Sequence, residues 1–405
     1  MKKGWQTKPL GELCGFQRGL TYAKGDEVDV SDNIVLRATN IDLKTNLLDF
    51  AELKYISDKV AVPDSKKVKK DSLMICTASG SKSHLGKVAY IDDNYDYAFG
   101  GFMGMITPKN GLVPKYLFHL MTSDAYKNFI GELSDGVNIN NLKFDDLKKF
   151  QVPHPARPEQ QRIVGILDEA FDSIGTAKAN TEKNLQNARA LFESHLQSVF
   201  TQRGAGWVEK QLGNLASFRN GINYTKDSKG ERIKIVGVRN FQKNFYAPLD
   251  DLDTVQIDGE LSGLDSLKED DILAVRSNGN IELIGRCILV GEVAEKLSHS
   301  GFTIRIRFSN GEVLPRYLCH FMKSTSSRKR LTDGGTGTNI KSLNQGMLSA
   351  LAIPFPPISV QKILVEKLES LSEETQRLTT LYERKLATLD TLKKSLLHQA
   401  FSGQL

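Results

Sequence analysis

Apolar side chains in the stretch 360–402 recur at alternating spacings of four and three: Leu364, Leu368, Leu371, Thr375, Leu378, Tyr382, Lys385, Leu389, Leu392 and Leu396. That spacing predicts a long helix with a heptad-type seam. A second stretch, 159–201, carries a weaker version through Ile163, Leu167, Ala170, Ile174, Ala177, Thr181, Leu185, Ala188 and Phe192. Neither stretch contains proline, and glycine enters only at Gly165 and Gly175. Each pattern predicts a helix of about 40 residues, roughly 60 Å long. A lone helix of this kind leaves its stripe wet. The two are therefore expected to pair, and to run antiparallel if the units they belong to are related by a two-fold.

The remaining stretches, 1–155 and 204–356, have a different grammar. Short β-rich runs such as Lys87–Ile91 and Gly301–Phe308 sit between Gly, Asn and Asp turns. Asp71-Ser-Leu-Met-Ile75 and Asp271-Ile-Leu-Ala-Val275 read as buried strands leaving a turn. Pro114 and Pro315 each suit the first position of a helix. Pro153, Pro155 and Pro158, and again Pro354, Pro356 and Pro357, hold the chain extended ahead of each long helix. Glu159 then suits the positive end of the helix dipole. The expected fold is α+β. It has globular domains at 1–155 and 204–356 and helical regions at 156–203 and 357–405. The two globular domains are expected to be related by a pseudo-two-fold, and the helices to form an antiparallel coiled coil.

The halves repeat one another. Trp5-x4-Leu10-Gly11-x-Leu13-x2-Phe16-x2-Gly19 returns as Trp207-x4-Leu212-Gly213-x-Leu215-x2-Phe218-x2-Gly221. Pro114-x-Tyr116-Leu117-x-His119-x-Met121 returns as Pro315-x-Tyr317-Leu318-x-His320-x-Met322. Gly136-x-Asn138-Ile139 and Val152-Pro153-x-Pro155-x4-Gln160 have their partners in Gly337-x-Asn339-Ile340 and Ile353-Pro354-x-Pro356-x4-Gln361. A duplication that fills 405 residues suggests a ligand that is itself two-part.

Composition narrows the class without deciding it. The chain is 40% hydrophobic and 25% charged, with no uninterrupted apolar run of membrane-spanning length. The N-terminus lacks the apolar core of a secretory signal, so a cytoplasmic protein is expected. Cys14, Cys76, Cys287 and Cys319 stand singly, without metal or redox spacing. A net charge of +6 permits a polyanionic partner.

No catalytic constellation emerges, and no metal or cofactor site is expected on this chain. Gly80 to Lys87 resembles a phosphate loop, but it has five residues between its glycines and Val88 where a hydroxyl should hold a metal. Asp49-x2-Glu52-x-Lys54 resembles a nuclease arrangement but has no counterpart in the second half. His119 and His320 recur on an apolar helix, as packed histidines do.

What remains is binding chemistry. Loops rich in Arg, Lys, Asn, Ser and Gly offer forks for base edges and donors for phosphates. The first half contributes Arg37, Asn40, Ser79, Lys82, His84, Asn138, Asn140 and Lys143. The second contributes Tyr224, Lys226, Arg239, Asn240, Arg276, Asn278, Asn280, Thr338, Asn339 and Lys341. These loops match poorly between the halves although their frames match well. One frame with two readout surfaces suits an asymmetric two-part ligand.

The whole pattern resembles the specificity (S) subunit of type I restriction-modification enzymes. The resemblance spans the chain and is carried by the Trp5 and Trp207 motifs and the Pro-x-Pro-to-Gln junctions. The helix-end motifs Leu191-x2-Ser194-x5-Phe200 and Leu392-x2-Ser395-x5-Phe401 also carry it. The second junction departs by placing Val360 where the family pattern has Glu, as at Glu159. The resemblance implies a non-catalytic reader of double-stranded DNA, each globular domain taking one half of a bipartite asymmetric site. The helix pair would set the spacer and dock methyltransferase subunits, two in number, with Gln160, Ile163, Gln361 and Leu364 as candidate contacts. Restriction subunits would complete the complex, and S-adenosylmethionine would belong to the methyltransferase. Two alternatives stand beside this: a coiled-coil scaffold without DNA specificity, and a fragment of a fused restriction-methylation enzyme. The absence of methylation motifs speaks against the second.

Overall fold

The computed structural model describes residues 4–81, 84–135, 141–241, 244–332 and 342–405. The chain divides into two compact units. The first comprises Met1–Glu182 with Arg384–Leu405, and the second comprises Lys183–Glu383.

In the first unit, the strand Gln6–Pro9 pairs antiparallel with Gln151–His154, closing the globular part where the long helix begins. A four-stranded antiparallel sheet runs in the order Cys14–Arg18, Met103–Pro108, Ser72–Cys76, Val88–Ile91. A second sheet orders Glu27–Val28, Lys54–Ile56, Ile34–Leu36 and Tyr97–Phe99, the last pairing being parallel.

The strand Ser72–Cys76 is buried along its whole length, because its two faces serve two cores. Alternate residues point to opposite sides of a sheet. Leu73 and Ile75 join the cluster containing Tyr116, Leu117 and Ile163. Met74 and Cys76 join the cluster containing Leu36, Phe99 and Met105. The expected buried strand is thus a shared wall, and Asp71 before it takes the left-handed φ of 61° that turns the chain into it.

The second unit repeats the plan. Val208–Gln211 pairs with Ala352–Phe355. The main sheet orders Ala216–Asn220, Thr303–Phe308, Ile272–Val275 and Cys287–Leu289. Ile272 and Ala274 face one core, Leu273 and Val275 the other. The turn residue here is Asp270, φ 67°, one place earlier than the sequence repeat suggests. Its side sheet has three strands: Asp253–Gln256, Arg232–Val236 and Leu297–His299.

The two long helices run Arg157–Thr201 and Ile358–Ser402, 45 residues each. In the first unit, Ile163 and Leu167 share a core with Leu397, Ala400 and Phe401. There Arg162 Nη2 donates to the Leu405 carbonyl at 2.8 Å and Lys178 pairs with Asp390 at 2.6 Å. In the second unit, Leu196 and Phe200 share a core with Val365 and Leu368. There Arg189 pairs with Glu383 at 2.9 Å. Rising numbers on one helix meet falling numbers on the other in each unit, so the helices are antiparallel as expected.

The second helix keeps the expected line through Leu368, fully buried, and Leu364, Leu371, Thr375, Leu378, Tyr382, Leu389 and Leu396, half-buried, while Leu392 is 45% exposed and Lys385 is exposed. Val365, Thr379, Leu397 and Ala400, beside that line, are buried as well. Heptad spacing fixes the period of the stripe. Its width is set by the partner helix and the globular cores that share it.

Candidate nucleic-acid interface

The motifs that recur most strictly are joints. Gln160 is fully buried, accepts the Val113 N–H at 2.8 Å and donates to the carbonyls of Gly111 (3.0 Å) and Pro155 (2.9 Å). Gln361 repeats this with the Leu314 N–H (2.9 Å) and the carbonyls of Glu312 and Pro356 (2.8 Å each). Each glutamine therefore ties the start of a long helix to the turn before the Pro114 or Pro315 helix. Tyr116 and Tyr317 reinforce the joint by donating to the Pro153 and Pro354 carbonyls at 2.9 and 2.8 Å. This corrects the expectation that Gln160, Ile163 and Gln361 face a partner, while Leu364 is only half-buried. Ile163 is fully buried, and Leu364 packs against the second unit's core. The glutamines that recur at the two junctions are clamps.

Two asparagines among the candidate readers are likewise structural. Asn40 is 1% exposed; its Oδ1 accepts the Arg37 N–H at 2.8 Å and its Nδ2 donates to the carbonyls of Asp49 and Glu52. Asn240 does the same with the Gly237 N–H at 2.9 Å and the Asp251 carbonyl at 3.1 Å. Neither has an amide edge left for a base. Arg239 forks onto Asp253 through Nε (2.8 Å) and Nη2 (2.9 Å), so its charge is already answered. Asn280 caps the short turn Ile281–Leu283 by accepting the Glu282 N–H. Asn278 Oδ1 accepts the Asn280 N–H at 2.8 Å.

The remaining described candidates are open to a ligand. Arg37 and Ser79 line one cavity of about 570 Å³ in the first unit, with Tyr22, Thr39 and Phe102. Burial, followed by the nearby Glu27, raises the Tyr22 phenol above its ordinary pKa, so it stays a neutral donor. His84 is half-buried beside Lys87. Lys87, the lysine of the phosphate-loop look-alike, is sunk beneath the Ile41 carbonyl at 3.1 Å, and burial lowers its pKa. Lys143 is exposed at the start of Phe144–Leu147.

In the second unit Tyr224 is 38% exposed and Lys226 is exposed. Arg276 is anchored by its own backbone: its N–H donates to the Phe302 carbonyl at 2.9 Å, and its carbonyl accepts from Leu343 at 2.7 Å. Thr77 makes the matching pair with Phe102 and Leu142 in the first unit. Arg276 therefore occupies the place held by a threonine in the other half. Lys82, Asn138, Asn140, Thr338, Asn339 and Lys341 lie outside the described residues.

Sequence reasoning passed over one cluster. Arg305 and Arg307 alternate with Ile304 and Ile306, so the isoleucines enter the main core and the arginines face the side sheet. Arg307 forks onto the buried Asp271 at 2.6 and 2.7 Å, and Arg305 donates to the Leu264 carbonyl at 2.7 Å. The same face in the first unit holds Met103 and Met105. Burial, helped by Arg305, pushes the His299 beside this cluster down to about 3. The Ile-Arg alternation was the available signal.

No helix among the described residues is long and apolar enough to cross a membrane. Among them no group of three or more His, Cys, Asp or Glu is placed to hold a metal ion.

Comparison with known proteins places this architecture. The family model of the type I restriction modification DNA specificity domain matches residues 2–186 and again 205–386. The StySPI specificity subunit of Salmonella potsdam, a type I restriction enzyme subunit, is 27% identical, covering 100% of this chain and 90% of the relative. The EcoKI specificity subunit of Escherichia coli K12 is 25% identical, with the same coverage. Among solved structures, a chain from a type I R-M system superposes with a TM-score of 0.80 at 16% identity, over 100% of this chain and 99% of that one. The HsdS subunit from Thermoanaerobacter tengcongensis gives 0.63 at 16% identity, covering 100% and 98%. These structures share the fold, while the two family-model matches span most of the chain. The chain belongs to the type I restriction-modification DNA specificity family, as a specificity subunit rather than a catalyst, with two copies of the specificity domain.

Proposed function

We propose that each unit reads one half of a bipartite, asymmetric DNA sequence and that the long helices fix the unread gap between the halves. The observation that carries this reading is the contrast between frame and loops. Gln160 and Gln361, with Tyr116 and Tyr317, build the same joint twice. The positions around that frame differ, with buried Thr77 against half-buried Arg276 and, in the interior, Met105 against Arg305. Two different readers on one repeated frame suit two different half-sites. Arg276 is the leading base-edge reader, since a guanidinium can fork onto guanine; Arg37, Ser79, His84 and Lys143 serve the other half. Lys226 and Tyr224 suit phosphate contacts.

Methyltransferase subunits, two of them, would dock on the helices and hold S-adenosylmethionine for adenine methylation, and restriction subunits would complete the complex in the cytoplasm. With Gln160 and Gln361 buried, the docking positions are the exposed apolar residues instead. Leu191 and Ile363, 65% and 62% exposed, line one shallow depression in the second unit and are the best candidates. The domain boundaries follow the joints: readers at 1–155 and 204–356, helical regions at 156–203 and 357–405.

The test is an insertion of four residues, about one turn, into both helices. The methylated motif should keep both half-sites and lengthen its gap. An unchanged gap with intact methylation refutes the spacer role.

A further inference from the structure

Phe102 and Phe302 are the most exposed phenylalanines among the described residues, at 74% and 61%. They occupy the same place in the two units, the turn that precedes Met103–Pro108 and Thr303–Phe308. Neither turn is loose. The Phe102 carbonyl accepts from the Thr77 N–H (2.9 Å), the Thr77 hydroxyl (2.9 Å) and the Ala78 N–H (3.1 Å). The Phe302 carbonyl accepts from the Arg276 N–H (2.9 Å) and the Ser277 N–H (3.4 Å).

The glycines of the opening repeat exist for these turns. A Cβ on Gly19 would stand 1.9 Å from the Gly100 carbonyl oxygen, and one on Gly221 would stand 2.2 Å from that of Ser300. Only glycine lets the first sheet strand press against the turn, where Gly19 and Gly221 donate to the Met103 and Thr303 carbonyls at 3.1 Å. The frame holds each phenylalanine rigidly and leaves its ring in water, although burying such a ring is worth roughly 1.5–3 kcal/mol.

An arginine accompanies each ring. Arg37 lines the cavity that Phe102 borders, and Arg276 bonds the Phe302 carbonyl through its backbone. The Nε of each arginine is buried without a hydrogen-bond partner among the described residues. The two arginines come from different places in the repeat, whereas the two phenylalanines coincide.

That difference identifies the task. A residue that reads a base edge should differ between units that read different half-sites. An aromatic ring that stacks serves any sequence, because every base has a π-face. We propose that Phe102 and Phe302 insert as wedges between adjacent base pairs, one in each half-site, unstacking and kinking the duplex there. The proposal rests on the DNA-specificity reading and adds how the duplex is deformed.

The test uses the full chain with its methyltransferase subunits and a duplex carrying the methylated motif, with 2-aminopurine scanned through every position except the target adenines. Fluorescence should rise several-fold at one step in each half-site. Phe102→Ala should abolish one rise and Phe302→Ala the other, with roughly 5- to 100-fold weaker binding to the motif and unchanged binding to scrambled DNA. Phe102→Trp and Phe302→Trp should restore both rises. No rise outside the target adenines, or rises that survive both alanine variants, overturns the wedge while leaving the specificity reading intact. A wild-type complex that binds motif and scrambled duplex equally overturns both.

Discussion

Replacing Gln160 or Gln361 by alanine should loosen one unit and spare the other. The side chain of Gln160 satisfies three backbone groups: the Val113 N–H and the carbonyls of Gly111 and Pro155. Truncation leaves those groups without that partner, and a buried unsatisfied group costs about 1–3 kcal/mol. Partial relaxation and water entry reduce the sum, so a loss of about 3 kcal/mol is expected. With a urea slope of about 3 kcal/mol/M, the unfolding midpoint falls by roughly 1 M.

The chain supplies its own reporters, because it holds two tryptophans. Trp5 packs against the first unit's core and Trp207 against the second's. Urea titrations of single-tryptophan backgrounds (Trp207→Phe, then Trp5→Phe) follow each unit separately. Gln160→Ala should lower the Trp5 transition and leave the Trp207 transition within about 0.5 kcal/mol; Gln361→Ala should do the reverse. A loss below about 0.5 kcal/mol in the unit concerned would show that the glutamines do not clamp the joint.

Acid should weaken the second unit through His299 and His320, which burial depresses to about 3. A folded pKa below the ordinary 6.5 means that the unfolded chain binds more protons between those values. The stability is therefore complete above about pH 6.5 and is lost as pH falls towards 3. At pH 4.5 each histidine should cost on the order of 2–3 kcal/mol, seen as a falling Trp207 midpoint, and His320→Leu should remove about half of that slope. Gly221→Ala forces a methyl group against the Ser300 and His299 carbonyls, at 2.2 and 2.3 Å. It should destabilise the second unit by about 2–4 kcal/mol in the same titration, with Trp5 unmoved. Leu191→Asp combined with Ile363→Asp should cut co-purification with the methyltransferase subunits at least tenfold, with both tryptophan transitions unchanged.

The repeat, the α+β class, the two long helices and the Pro-x-Pro joints were all legible in the sequence, since each depends on local spacing. What escaped was direction. The recurrence of Gln160 and Gln361 was visible, but spacing alone could not tell an inward clamp from an outward contact. Asn40 and Asn240 look like readers in sequence because a loop asparagine that holds a turn and one that faces a ligand share the same signature. Val365, Thr379 and Leu397 are buried beside the expected stripe because neighbours that no heptad rule contains set how wide it is. Phe102 and Phe302 hid in a stretch that aligns loosely, where Gly101-Phe102 and Ile106 match Gly301-Phe302 and Ile306 but their neighbours differ. Their shared exposure belongs to backbone hydrogen bonds that sequence does not display.

The central claim is that one chain carries two different DNA readers. The most direct measurement is modified-base sequencing of a genome methylated by this chain with its methyltransferase partner, set against the same partner with Arg276→Ala. The account predicts methylated adenines in a motif of two unlike half-sites at one fixed gap, and loss of base discrimination in one half-site alone in the variant. A single continuous motif, or equal loss in both half-sites, would contradict it.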